Sequence, residues 1–106
     1  AENSPNSIKY INDNFTEDID LKKLADIEHY NVSYYSEWFK NNMSVSPTEY
    51  IQNLRVKRAK ELLLNTNLTV LQISQMVGYE HNSSFTKVFK NSEKISPAEF
   101  RRNIKK

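Results

Sequence analysis

With 106 residues, 38% of them hydrophobic and 26% charged, the chain has room for one domain or two small subdomains sharing a core, and none for a large enzyme with a separate cofactor domain. The absence of cysteine excludes a disulfide framework, a thiolate metal site and a cysteine nucleophile, and Leu62-Leu63-Leu64 falls far short of the roughly 18 apolar residues of a membrane span, so a cytoplasmic location is expected. The net charge of +2 is bland, but residues 1–53 carry 4 Lys against 9 acidic residues, net −5, and residues 54–106 carry 11 basic against 4 acidic, net +7, so a polyanion would be gripped mainly by the second half.

One glycine and three prolines are a poor supply for hairpins and an adequate one for helices joined by short turns, so the expected class is all-α. The chain starts at Ala1 without methionine or a secretory signal, and residues 1–6 read as an N-terminal tail or the remnant of excision from a longer protein. Ile8, Ile11 and Phe15 recur at helical spacing after Ser4-Pro5, a capping serine and a proline suited to the first helical position, which predicts a first helix over 5–14. Asp20 can cap a second helix carrying Leu21, Leu24, Ala25 and Ile27. After His29-Tyr30-Asn31, a third helix over 32–42 sets Tyr35, Trp38 and Phe39 on one face and Ser33, Ser36, Glu37 and Lys40 on the other. Ser46-Pro47-Thr48-Glu49 is a capping-box start for a long fourth helix to about Asn65. Its apolar residues, including Leu62 to Leu64, cover more than one stripe, so it reads as a connecting spine ~27 Å long. Thr69 to Gln72 opens a fifth helix with Val70, Ile73, Met76 and Val77 inward, ended by Gly78-Tyr79. A sixth, over 82–92, sets Phe85, Val88 and Phe89 against Ser83, Thr86, Lys87 and Lys90, and Ser96-Pro97 opens a short seventh carrying Phe100, Arg101 and Arg102.

The halves repeat. At an offset of 50, Tyr35 falls on Phe85, Phe39-Lys40 on Phe89-Lys90, Ser46-Pro47 on Ser96-Pro97, and Glu49-Tyr50 on Glu99-Phe100; upstream the offset becomes 49. Each unit reads helix, short turn, helix, which predicts two helix-turn-helix subdomains, residues 7–45 and 66–106, joined by a linker helix over 46–65. In such a unit the second helix lies in the DNA major groove, held by an apolar back and reading bases with a short polar front. A single unit of this kind is more often an ordinary bundle with a polar surface; two in tandem beside a concentrated basic charge favour nucleic acid.

Leu24-Ala25, Phe39-Lys40, Ser46-Pro47, Arg55 and Ala59 before Leu62-Leu63, Ile73, Gly78-Tyr79, Phe85, Phe89-Lys90, Ser96-Pro97 and Phe100-Arg101 together resemble the DNA-binding domain of the AraC/XylS family of bacterial transcription regulators, over about residues 7–102. The resemblance implies seven helices, two helix-turn-helix units reading two successive major grooves, and a separate effector-binding or dimerisation domain outside this chain. It implies base-reading positions at Ser33, Ser36 and Glu37 in the third helix and at Asn82, Ser83, Thr86 and Lys87 in the sixth. The amphipathic pattern alone selects nearly the same set, with a solvated surface as the alternative for each. Phosphate contacts are expected from Asn31, Lys40, His81, Lys90, Arg101 and Arg102. Asn31 and His81 could cap helices instead, Lys40 and Lys90 also suit helix C-termini, and the basic tail through Lys105 and Lys106 could equally fray. The family usually carries glycine two residues before each Ser-Pro, where this chain has Ser44 and Lys94; a left-handed residue other than glycine costs roughly 1 kcal/mol.

Two histidines 52 residues apart suggest no metal site, and no nucleophile, carboxylate pair or glycine-rich phosphate loop suggests catalysis, so no cofactor is expected. The expected function is sequence-specific binding of double-stranded DNA by a transcription regulator. The alternative is a helical protein interaction module that contacts the transcription machinery, such as RNA polymerase, through the third helix and its acidic surroundings.

Overall fold

The computed structural model describes residues 5–104, which form seven helices and no strand. They are α1 (Asn6–Asn14), α2 (Leu21–Ile27), α3 (Val32–Met43), α4 (Pro47–Asn65), α5 (Val70–Met76), α6 (Asn82–Glu93) and α7 (Pro97–Ile104). The chain divides into two compact units, one ending at Ile51 and the other starting at Gln52. The division falls inside α4, so the helix expected as a separate linker over 46–65 contributes its first turn to one unit and the rest to the other.

In the first unit α2 packs against α1 and α3, burying Ile8, Ile11, Leu24, Ala25, Tyr35 and Phe39. Pro5 stands at the N-cap of α1, one residue before the first-turn position expected of it, and makes no side-chain cap; the expected Ser4 cap lies outside the described residues. The cap comes instead from the far end of α2, where the Glu28 carboxylate accepts from the Ser7 amide at 2.7 Å. A carboxylate there satisfies an orphan amide and suits the positive end of the helix dipole. Ser7 is fully buried, and its hydroxyl accepts from the Tyr35 phenol at 3.1 Å. Burial pushes the Tyr35 phenol above its usual value; the Ser7 hydrogen bond lowers it and the Glu28 charge raises it further.

In the second unit Val56, Ala59, Leu62 and Leu63 of α4 form a core with Ile73, Val77, Phe85 and Phe89, and Leu68, Val70, Tyr79, Val88 and Phe100 pack around it. Two expected core residues are not in it: Leu64 is 42% exposed and Met76 49%. Three consecutive leucines span about 200° of a helix, wider than the packed face, and of the two adjacent residues expected inward at the end of α5 Val77 is buried while Met76 turns out. Thr69 and Gln72 complete a reciprocal capping box at 3.0 and 2.8 Å. At both Ser-Pro starts the serine hydroxyl accepts at 3.1 Å, from the Glu49 and Glu99 amides respectively.

The repeat persists in the packing. The Tyr35 and Phe39 rings lie 5.9 Å apart at 50°, and Phe85 and Phe89 5.7 Å apart at 53°. Phe39 meets Tyr50 at 5.5 Å and 76°, and Phe89 meets Phe100 at 5.5 Å and 77°. The first turn of α4 thus does for the first unit what α7 does for the second. Ser44 and Lys94 both adopt left-handed backbone, with φ of 68° and 72°, and their amides close α3 and α6 on the Lys40 and Lys90 carbonyls. The turns keep the shape a glycine would give and carry its conformational cost twice. His29 adds a third such position at φ 63°.

Candidate nucleic-acid interface

The candidate surface consists of two helix faces, one in each unit. α3 is held from behind by Tyr35 and Phe39, both fully buried, with Trp38 half-buried against Tyr30, Tyr35 and Phe39. Trp38 therefore belongs to the packing and offers no free stacking platform. A helix clamped along one side holds its opposite face in fixed position. On that face Ser33 and Glu37 are exposed and Ser36 is half-buried. Asn31 caps α3 by accepting from the Tyr34 amide at 2.8 Å, so its carbonyl oxygen is engaged while its amide group remains as a donor.

α6 repeats the arrangement at the same offset. Phe85 and Phe89 form its buried back, Asn82, Ser83 and Lys87 are exposed, and Thr86 is half-buried. The Thr86 hydroxyl donates to the Asn82 side-chain oxygen at 3.1 Å, which joins two base-reading candidates along one flank. His81 occupies the N-cap position without making a side-chain cap and is exposed, unlike Asn31. Lys40 and Lys90 are exposed in the last turns of their helices.

The second unit's excess of positive charge is only partly available to a ligand. Lys60 pairs with Glu93 at 3.0 Å and Arg58 with Glu61 at 3.2 Å. The Arg55 guanidinium lies 4.9 Å above the Tyr79 ring and donates to the Gly78 carbonyl at 3.4 Å, a structural place. Arg101, too, is engaged within the fold. Its guanidinium donates to the carbonyls of Leu63 at 3.1 Å, Thr66 at 3.2 Å and Leu68, closing the C-terminal end of α4 and the turn that follows. Those carbonyls have no helical partners, and a cation answers both their lone pairs and the negative helix end. Arg101 is therefore engaged within the fold as a capping residue, at a position where the sequence leads us to expect a phosphate contact. Arg102, beside it, is exposed, and Lys105 and Lys106 lie outside the described residues. Among the described residues no ion pair or side-chain hydrogen bond engages Glu37, Lys40, Lys87, Lys90 or Arg102.

Two exposed apolar residues on α3 escape a reading based on polar faces: Val32, 39% exposed, and Tyr34, 53% exposed. The signal for Val32 was present in the repeat, which sets it on Asn82. Among the described residues no cluster of three or more His, Asp or Glu side chains could hold a metal ion, and no helix is long and apolar enough to cross a membrane.

The helix-turn-helix domain family matches residues 24–103. The chain is 41% identical over 98 residues to an uncharacterised helix-turn-helix-type transcriptional regulator, YobQ, of Bacillus subtilis strain 168, covering 92% of this chain and 41% of that protein. It is 37% identical over 97 residues to the bifunctional transcriptional activator and DNA repair enzyme AdaA of the same organism, covering 92% of this chain and 46% of AdaA. The chain thus spans less than half the length of these curated relatives. Its fold matches the C-terminal domain of AraT, a response regulator from Geobacillus stearothermophilus, with a TM-score of 0.89 at 29% identity, over 97% of this chain and 88% of that one. The DNA-binding domain of AdpA, solved in complex with a target DNA, shares the fold with a TM-score of 0.86 at 18% identity, over 92% and 87% of the two chains.

Proposed function

The chain belongs to the AraC-type helix-turn-helix family of transcription-regulator domains, and on that premise we propose that it binds double-stranded DNA sequence-specifically, with α3 and α6 entering two successive major grooves. The observation that carries the reading is the duplicated unit: each second helix buries an aromatic back, presents a short-chain polar front, and carries in its last turn an exposed lysine that no ion pair or side-chain hydrogen bond engages among the described residues. In this reading Ser33, Ser36 and Glu37, and Asn82, Ser83, Thr86 and Lys87, face base edges, where asparagine suits adenine, hydroxyls suit several bases and glutamate accepts from cytosine. Lys40, Lys90 and Arg102 neutralise phosphates, and the Asn31 amide and His81 lie where the backbone passes. The protein acts in the cytoplasm as part of a longer regulator with a separate effector or dimerisation domain. The family is one of regulators rather than enzymes, and the repair activity named for AdaA stays with AdaA.

The acidic balance of the first unit supports a second reading, a module that holds a protein partner such as RNA polymerase through α3. Titration of DNA affinity against salt on selected and random duplexes separates the two. Three phosphate-neutralising cations predict a fall in log affinity with log salt of slope about −3, together with a preference among sequences. A flat salt dependence without sequence preference would leave the protein module standing.

A further inference from the structure

We infer that Val32 is a specificity-determining residue, reading the methyl group of a thymine at the point where the second unit presents Asn82. The inference rests on the proposed DNA reading of α3 and α6. Both residues open their helices, at the first position of α3 and of α6, and both are exposed. Four residues on, Ser36 and Thr86 are half-buried on the same flank, and the Thr86–Asn82 hydrogen bond at 3.1 Å shows that side chains at these two positions meet. The flank is therefore the same surface in both units with one chemical change, an amide in α6 and an isopropyl group in α3.

The aliphatic side chain of Val32, exposed at the leading end of a major-groove helix, can form no hydrogen bond with a base edge. The thymine C5 methyl is the natural apolar feature of that groove, and apolar side chains contact it. Tyr34 is more exposed than Val32, but it projects from the opposite flank, and its ring lies 4.6 Å from that of Tyr30, so it has an apolar neighbour within the fold. Val32, 39% exposed at the first position of α3, stands beside Ser33 and Ser36.

The test uses duplexes that this chain selects from a random pool, resynthesised with deoxyuridine in place of thymidine at one position at a time. The substitution deletes the methyl group and leaves every hydrogen-bonding edge intact. One thymine should cost the parent chain about fourfold in affinity when demethylated, the size of one buried methyl, and should cost Val32→Ala nothing. Val32→Asn, which installs the second unit's residue, should move the preference at that base pair toward adenine. Selective binding with the same uracil cost in the parent and in Val32→Ala at every position would overturn the inference and leave the proposed function intact. Absence of any sequence preference in the parent would overturn both.

Discussion

At the scale of single residues, charge and partner decide function. Glu37 is exposed on a face we assign to a polyanion, and among the described residues no ion pair engages it. Unless a base-edge amine donates to it, its carboxylate repels phosphates; a partnership with Lys40 three residues on would be worth only ~0.2–0.5 kcal/mol and is not formed. Glu37→Ala should therefore strengthen binding to random duplex and relax preference at one or two base pairs, by roughly 1–3 kcal/mol of discrimination. Unchanged affinity and preference would place Glu37 in solvent. Lys90 and Arg101 form a contrasting pair, since sequence alone gives both a cation near DNA while the structure engages only Arg101 internally. Lys90→Ala should weaken binding alike on all sequences and lower the salt slope by about 0.9 without changing the melting temperature. Arg101→Ala should leave the slope unchanged and destabilise the fold by about 1–3 kcal/mol, as loss of a charged hydrogen-bond donor does, read by thermal melting. The periodicity of α7 could not reveal this role, because the carbonyls that Arg101 satisfies lie 33 to 38 residues earlier in the chain.

At the scale of elements, the two units solve the same packing problem with different polarity. Where the second unit has Phe85 the first has Tyr35, and its hydroxyl requires the buried Ser7, which sits beside Glu28 at the start of α1. The Tyr35 phenol is held above its usual value chiefly by burial. A phenol whose folded value exceeds its unfolded value of about 10 stabilises the fold fully below that value, and the contribution is lost as pH rises through the folded value. Melting temperature should therefore fall above about pH 10, and Tyr35→Phe should fall less over the same range; equal falls would separate the alkaline loss from Tyr35. The starts of all seven helices were legible to within a residue or two, because caps and prolines are local signals. The Pro5 assignment failed for the complementary reason: the group that caps α1 comes from Glu28, 21 residues away from Ser7.

At the scale of the molecule, the two units are joined by a continuous helix, α4, 19 residues and about 28 Å long. If α3 and α6 read successive major grooves, their half-elements must lie on one face of the duplex, about one turn apart. Inserting five base pairs, about half a turn, between them should abolish tight binding, since the mismatch would have to be absorbed by bending or twisting DNA. Unchanged affinity in a binding titration would show that one unit suffices. Because four of the second half's eleven basic side chains, Arg55, Arg58, Lys60 and Arg101, are engaged within the fold, fewer side chains are free to contact phosphates than the count of eleven implies. Lys87, Lys90 and Arg102 remain exposed.

The sequence by itself determined the helical class, the duplication at an offset of 50, the buried aromatic backs of α3 and α6, and the family. Each depends on spacing and residue type within a few turns of chain, and the repeat supplies an internal check. Only the tertiary structure decided that Leu64 and Met76 face outward, that Glu28 caps α1 and that Arg101 closes α4. Periodicity tells which residues share a face of a helix. Whether that face meets another element, and which distant carbonyl or carboxylate lies opposite a given side chain, depends on contacts between segments far apart in sequence.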